Sequence, residues 1–308
     1  MAGALCRGPH VTAAPDTPVW QLVLVLWGTK YPVAEVNHLI ATVCRHAAHP
    51  PRVVLITDQL REGLSAGVVQ RLIPEFFMAP EMRGSGCQAK LCMFEAGVVP
   101  HDLPAVFIDI DTVVFGDMTR FLALLNRRQA VVMFHNSLLP FGAVPRLLHK
   151  ISRGKKYLRG NSSIVIYHPG ECASIAVHFR EMFAKVGANG TPAMVADDKF
   201  ISWSQQDKLQ SIPRDMAVKL PAEFMLPYRW LILLRARMPW VRRRWAGLVA
   251  LTLPGVEVKG EALLALPEGG EVVDRKGRRL IWSEAALGPV KARLTDYYTS
   301  LQASGRAP

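Results

Sequence analysis

The chain has 308 residues, half of them apolar and a fifth charged, which suits one large α/β domain with a substantial core and excludes global disorder. Its 37 basic against 25 acidic residues give a net charge of +12, so an anionic partner is expected: nucleic acid, an anionic membrane surface or a phosphorylated substrate. No nucleic-acid motif accompanies the charge, and nucleic acid is set aside on that ground.

Residues 1–18 lack the long apolar stretch of a secretory signal and read as a loose tail. The apolar run 19–27 is too short to span a bilayer and predicts a buried strand. A helix follows over Val33–His46, with Pro32 at its first turn. The spacing then predicts a strand over Arg52–Thr57, a short helix over 88–96, a strand over 105–110 and a helix over 119–125. Strands at 130–135 and 163–167 precede helices at 172–185 and 198–206. Near-continuous Val/Ile/Leu strands alternating with helices predict an α/β fold with a mainly parallel sheet covered on both faces. Ligands of such sheets bind in the crevice beyond the carboxyl ends of the strands. The five cysteines, Cys6, Cys44, Cys87, Cys92 and Cys172, are odd in number and scattered. They suit a reduced, cytoplasmic compartment and give no zinc spacing.

The last third is less regular, so residues 19–308 read as a single domain: a core over about 19–220 and an irregular C-terminal elaboration over about 221–308. A hairpin is expected around 274–277 and a final helix over about 289–301. No acid intervenes between Glu223 and Glu257, while Arg229, Arg235, Arg237, Arg242, Arg243 and Arg244 lie there among Trp230, Trp240 and Trp245. Such a segment suits the headgroup boundary of an anionic bilayer, which would place the protein peripherally on the inner face of the membrane. It equally describes a partly packed helical hairpin broken at Pro239.

The most informative stretch is 106–117, VFIDIDTVVFGD, where Asp109 and Asp111 interrupt an apolar run. Carboxylates in such a setting are costly unless paired or coordinating a cation. At spacing i, i+2 they share one side of an extended chain. A divalent ion removes their repulsion, and oxygen-only ligation favours Mn²⁺ or Mg²⁺. Such an ion would stabilise a departing diphosphate. The alternative is a pair of strand-end aspartates that cap turns or pair with arginines.

The segment Phe107-Ile-Asp-Ile-Asp-Thr-Val-Val resembles the metal-binding signature of family 8-like bacterial glycosyltransferases with the GT-A fold. Leu26-Trp-Gly-Thr-Lys-Tyr is similar to that family's loop after the first strand, Thr57-Asp58 to the end of its second, and Ala89-Lys90-Leu91 to its lysine-bearing helix. Gly160-Asn-Ser-Ser and Ala196-Asp-Asp-Lys resemble its donor-sugar segment and its Asp-Gln motif, and the likeness covers about residues 19–230.

The resemblance implies a sugar moved from a nucleoside-diphosphate donor, a UDP-sugar, to a hydroxyl of a glycan or lipid-linked acceptor, with retained anomeric configuration. Asp109 and Asp111 would bind the metal, Lys90 and Lys259 the diphosphate, and Thr29, Lys30 and Tyr31 the nucleotide. Asn161, Asp197 and Asp198 would position the sugar. On residue chemistry alone Lys90 is equally a snorkelling surface lysine, Asn161 a turn residue, and Asp197 a helix N-cap.

Two departures stand out. The family supplies a third metal ligand from a C-terminal histidine, but all nine histidines here lie at or before His178, and Lys259 occupies the corresponding place in Val256-Glu-Val-Lys-Gly-Glu. Asp198 stands where glutamine is expected. Two competing readings follow: a sugar-nucleotide-binding or membrane-associated accessory protein without catalysis, and a haloacid-dehalogenase-type phosphatase using the acidic pair.

Overall fold

The computed structural model describes residues 18–136, 140–255 and 258–304; all but the last residue of the expected tail at 1–18, and residues Val256 and Glu257, lie outside the described residues. Twelve strands are described: β1 (Gln21–Leu26), β2 (Arg52–Thr57), β3 (Val69–Leu72), β4 (Ala105–Ile108), β5 (Thr112–Val114), β6 (Val131–His135), β7 (Gly160–Tyr167), β8 (Leu209–Ser211), β9 (Ala217–Lys219), β10 (Ala250–Thr252), β11 (Gly270–Val273) and β12 (Arg279–Trp282). Seven form the central sheet in the order β3-β2-β1-β4-β7-β6-β8. Every neighbouring pair is parallel except those of β7, which runs against both β4 and β6. The architecture is thus α/β with a mostly parallel sheet, as the alternating pattern predicts.

All six residues of β1 are buried, because both sheet faces are covered. Val23, Val54, Phe107, Met133 and Val165 point to one face, beneath Leu91, Phe94, Ile175 and Phe179. Leu22, Leu24, Leu55, Val106 and Ile166 point to the other, against Val36, Leu39, Ile40 and Val43 of the helix Val33–His46. A one-residue register slip would exchange the two faces, and each fully buried Val, Leu or Phe contributes about 1.5–3 kcal/mol. The register is therefore strongly specified.

Several expected elements shift. The short helices at Gln88–Phe94 and Met118–Leu124 are 3₁₀ rather than α. The helix expected at 172–185 breaks at Ala173 into Pro169–Cys172 and Ser174–Val186. The strand expected over 105–110 stops at Ile108, because Thr112 N donates to Asp109 O at 3.0 Å and closes a turn. That turn launches β5, which joins β10 and β9 in a second, three-stranded sheet.

The C-terminal part is more regular than expected. Helices Arg229–Arg237 and Pro239–Ala246 form the hairpin broken at Pro239. β11 and β12 pair across the expected turn, and the last helix spans Pro289–Ser304. Trp245, Phe224, Leu251, Leu280, Trp282 and Leu294 make a third core, which also takes in Val113 of β5. The arginine-rich hairpin is partly locked by ion pairs: Glu223, fully buried, receives Arg235, Arg244 and the Trp245 indole N–H, and Arg229 pairs with Glu271. No helix among the described residues is long and apolar enough to cross a membrane.

Candidate active site

A crevice of about 520 Å³ opens beyond the carboxyl ends of β1 and β4, in the size range of small-ligand sites. Because β7 is reversed, its first residues, Gly160 to Ser163, arrive at the same edge where β4 ends: Ile108 sits opposite Ile164, and Asp109 N donates to Ser163 O at 2.9 Å. The walls include Lys30, Tyr31, Lys90, Asp109, Asp111, Asn161, Asp197 and Asp198. Eight of the ten expected site residues therefore line one cavity. Thr29 is exposed and outside that lining; Lys259 stands at the rim, bound to a wall residue.

The acidic pair does not sit on an extended strand. Asp109 and Asp111 flank the turn after β4, and each carboxylate meets a different lysine. Lys90 Nζ donates to Asp109 Oδ1 at 2.5 Å, and Lys259 Nζ to Asp111 Oδ2 at 2.5 Å. The snorkelling alternative for Lys90 fails, since its side chain is only 14% exposed and lies above the Phe107 ring. Burial alone would lower the Lys90 ammonium, but Asp109 and Asp197 outweigh it and raise it well above its ordinary value. Burial and the neighbouring Asp111 push the Asp109 carboxyl up, while Lys90 pulls it down.

Asp197 does not act as an N-cap: Ala196 holds that position, and the helix runs Asp197–Ser204. The Asp197 carboxylate instead accepts the Ser162 hydroxyl at 2.6 Å, and its pKa is pushed up to about 7, chiefly by burial. Burial raises Asp198 as well, against the pull of its own helix amides and of Lys219. Lys30 sits 4.9 Å from the centroid of the Tyr31 ring, leaving an aromatic and a cation together on the wall. Burial raises the Tyr31 phenol, helped by the charges of Asp111 and Asp109.

Residues beyond the ten expected ones also shape the crevice. The backbone of the loop after β1 is clamped by Asp58 and Arg61: Gly28 N donates to Asp58 Oδ2 and Arg61 Nη2 to Gly28 O, each at 2.9 Å. Ser85, Gly86 and Cys87 form a wall beside Asp197, whose N–H donates to Gly86 O at 2.9 Å. Gly86 must be glycine, because a Cβ there would lie 2.1 Å from Val195 O. The Gly-Ser-Gly run at 84–86 signals a loop, but nothing local says that a chain more than a hundred residues away packs on it. Pro254 and Gly255 close the far side.

Asp109 and Asp111 are the residues available to a divalent cation. Among the described residues, no group of three His, Cys, Asp or Glu side chains could hold one. Lys259 presents an ammonium to Asp111, and an ammonium cannot ligate a metal ion.

No protein-family model matches the chain, and no curated protein matches it in sequence. Solved structures do match in shape. The galactosyltransferase LgtC, crystallised with donor and acceptor sugar analogs, superposes with a TM-score of 0.54 at 11% identity, covering 94% of this chain and 97% of that one. The bifunctional glycosyltransferase WbbM gives 0.53 at 11% identity, over 94% of this chain and 53% of its own. The glycosyltransferase GlyE of Streptococcus pneumoniae gives 0.50 at 14% identity, over 92% and 64%. At such identities the likeness speaks for the fold: this chain has the α/β architecture of GT-A-type glycosyltransferases, with its mostly parallel sheet and its C-terminal part both included.

Proposed function

We propose that the chain transfers a sugar from a nucleoside-diphosphate donor, UDP-linked, to a hydroxyl of a glycan or lipid-linked acceptor, with retention at the anomeric carbon. The observation that carries this is the convergence of a cation–aromatic pair, four carboxylates and Lys90 in one crevice at the sheet edge, with Lys259 paired to Asp111 at its rim. Tyr31 offers a stacking face for the base, and Lys30 a charge beside it. Lys90 is a point charge for diphosphate oxygens. Asn161, Asp197 and Asp198 are placed to bind sugar hydroxyls, with Asp197 steadied by Ser162. Uptake of a donor sugar analog by LgtC supports the donor class. The phosphatase alternative gains nothing, since the acidic pair follows the fourth strand and each member is engaged by a lysine.

Mn²⁺ or Mg²⁺ at Asp109 and Asp111 does not fit the side chains present. Two carboxylates already paired with two ammoniums leave no net charge for a cation to balance. A divalent ion on either would lie within about 7 Å of an ammonium, a repulsion on the order of 5 kcal/mol at an effective dielectric of about 20.

A second surface supports a docking role. Tyr228, Trp230, Leu234 and Trp240 are exposed on the arginine-rich hairpin, next to exposed Arg237, Arg242 and Arg243. An aromatic and basic face of this kind suits an anionic membrane surface, where lipid-linked acceptors reside. Vesicles of phosphatidylglycerol and phosphatidylcholine test it. Joint replacement of Arg237, Arg242 and Arg243 by Ala should abolish low-salt sedimentation with them; unchanged sedimentation defeats the docking role.

The transfer reading is tested by a donor panel, read as nucleoside diphosphate released with and without acceptor glycans. One donor should turn over, and Asp111→Asn, which frees Lys259 from its partner, should cut the rate at least roughly tenfold. Binding of a nucleotide-sugar without turnover of any donor would instead favour the accessory reading.

A further inference from the structure

Lys90 lines the crevice and Lys259 stands at its rim, and each is held by one carboxylate of the acidic pair. Lys90 is carried on the 3₁₀ turn Gln88–Phe94. Lys259 comes from the rim, where Nζ also donates to Leu253 O at 3.2 Å while Leu253 N donates to Asp111 O at 3.1 Å. Behind it, Gly260 lies so close to the Tyr298 ring that a Cβ would approach within 2.1 Å, so the backbone carrying Lys259 is held against that ring. Each ammonium has three N–H donors, and the hydrogen bonds described use one on Lys90 and two on Lys259. Donors remain for an incoming oxyanion, and the two charges together equal that of one divalent ion.

We infer, on the footing of the nucleotide-sugar reading above, that this is a metal-independent transferase in which Lys90 and Lys259 take the diphosphate. Asp109 and Asp111 act as positioning residues that aim the two ammoniums. In the step, the bond between the anomeric carbon and the β-phosphate oxygen breaks with its electron pair going to that oxygen. The acceptor oxygen bonds to the anomeric carbon, and its proton passes to the departing diphosphate. The lysines neutralise the negative charge that builds there, the task a metal performs elsewhere.

Titration calorimetry with UDP, GDP, ADP and CDP, in EDTA and in Mn²⁺, decides it. The preferred nucleoside diphosphate should bind with the same affinity, within about twofold, under both conditions. Lys259→Met should weaken it roughly 10- to 100-fold while leaving the matching nucleoside unaffected. Lys259→His, which restores a neutral metal ligand, should make diphosphate binding depend on Mn²⁺. Melting curves that match the parent confirm that each variant is folded, and Lys259→Arg, which keeps the charge, should retain most of the affinity. Diphosphate binding that appears only with Mn²⁺, or survives Lys259→Met unchanged, overturns the metal-free clamp and leaves the transferase reading standing. Absence of binding in both buffers overturns the two together.

Discussion

Gly260 and Asp197 show how single side chains govern this crevice from positions that look unremarkable in sequence. A methyl group added at Gly260 meets the Tyr298 ring, a rigid neighbour. Gly260→Ala should displace the Lys259 backbone and lower diphosphate affinity several-fold, with a stability loss of about 1–3 kcal/mol, read by calorimetry and urea unfolding. Asp197 makes a pH prediction. Its folded pKa of about 7 lies above the ordinary carboxylate range. Below about pH 4 both states hold the proton and there is no penalty. As pH rises toward 7 the unfolded chain loses its proton while the folded one keeps it, so stability falls across that window. Asp197→Asn removes the effect. Its stability relative to the parent, from urea midpoints, should climb between about pH 4 and 7; a flat difference would show that Asp197 is ionised throughout. Asp109 and Asp111 were legible because charges inside an apolar run are conspicuous, whereas Lys90 was marked only by the resemblance of Ala89-Lys90-Leu91. Arg61 was not, and although Asp58 and Ser162 lie in segments the resemblance covers, their partners Gly28 and Asp197 were hidden, because a short polar residue beside a strand end carries no mark of a distant partner.

At the level of elements, the arginine-rich hairpin divides into two populations. Arg235 and Arg244 converge on Glu223, which is fully buried, whereas Arg237, Arg242 and Arg243 face solvent. Glu223→Ala strands two guanidiniums and the Trp245 N–H. It should cost about 3–5 kcal/mol in urea unfolding, against less than about 0.5 kcal/mol for Arg243→Ala. Equal costs would show that the hairpin is not anchored through Glu223. The segment's bare composition suggested a surface, and an acid at its boundary, as Glu223 is, carries no local sign that it turns inward. Strand orientation was equally hidden. The apolar run in β7 reads the same in either direction, and it is the antiparallel register against β4 that brings Asn161 and Ser162, placed at the sugar by resemblance alone, to the crevice. Three-residue strands such as β5, β9 and β10 are too short to show alternation, so the second sheet was invisible.

Over the molecule as a whole, the strand–helix alternation of the first 170 residues was readable because period-2 and period-3.6 patterns reach full length there. The C-terminal third resisted because its core is assembled from short helices, with Val113 of β5 and Leu251 of β10 contributed from far apart. The net charge of +12 also acts at this scale. Association of a nucleoside diphosphate should slow as salt rises from about 50 mM to about 500 mM, with dissociation changing less; stopped-flow binding measures both. The hydrogen bond from Lys259 to Asp111 joins residues 148 positions apart, across a mouth whose floor is finished long before. During synthesis the sheet can form while the final fifty residues are still unmade, yet the pocket stays open on one side until they emerge. A nascent chain that has not passed residue 259 therefore lacks one ammonium of the pocket, and ligand-induced protection from proteolysis should arrive only once residues 259–298 have emerged.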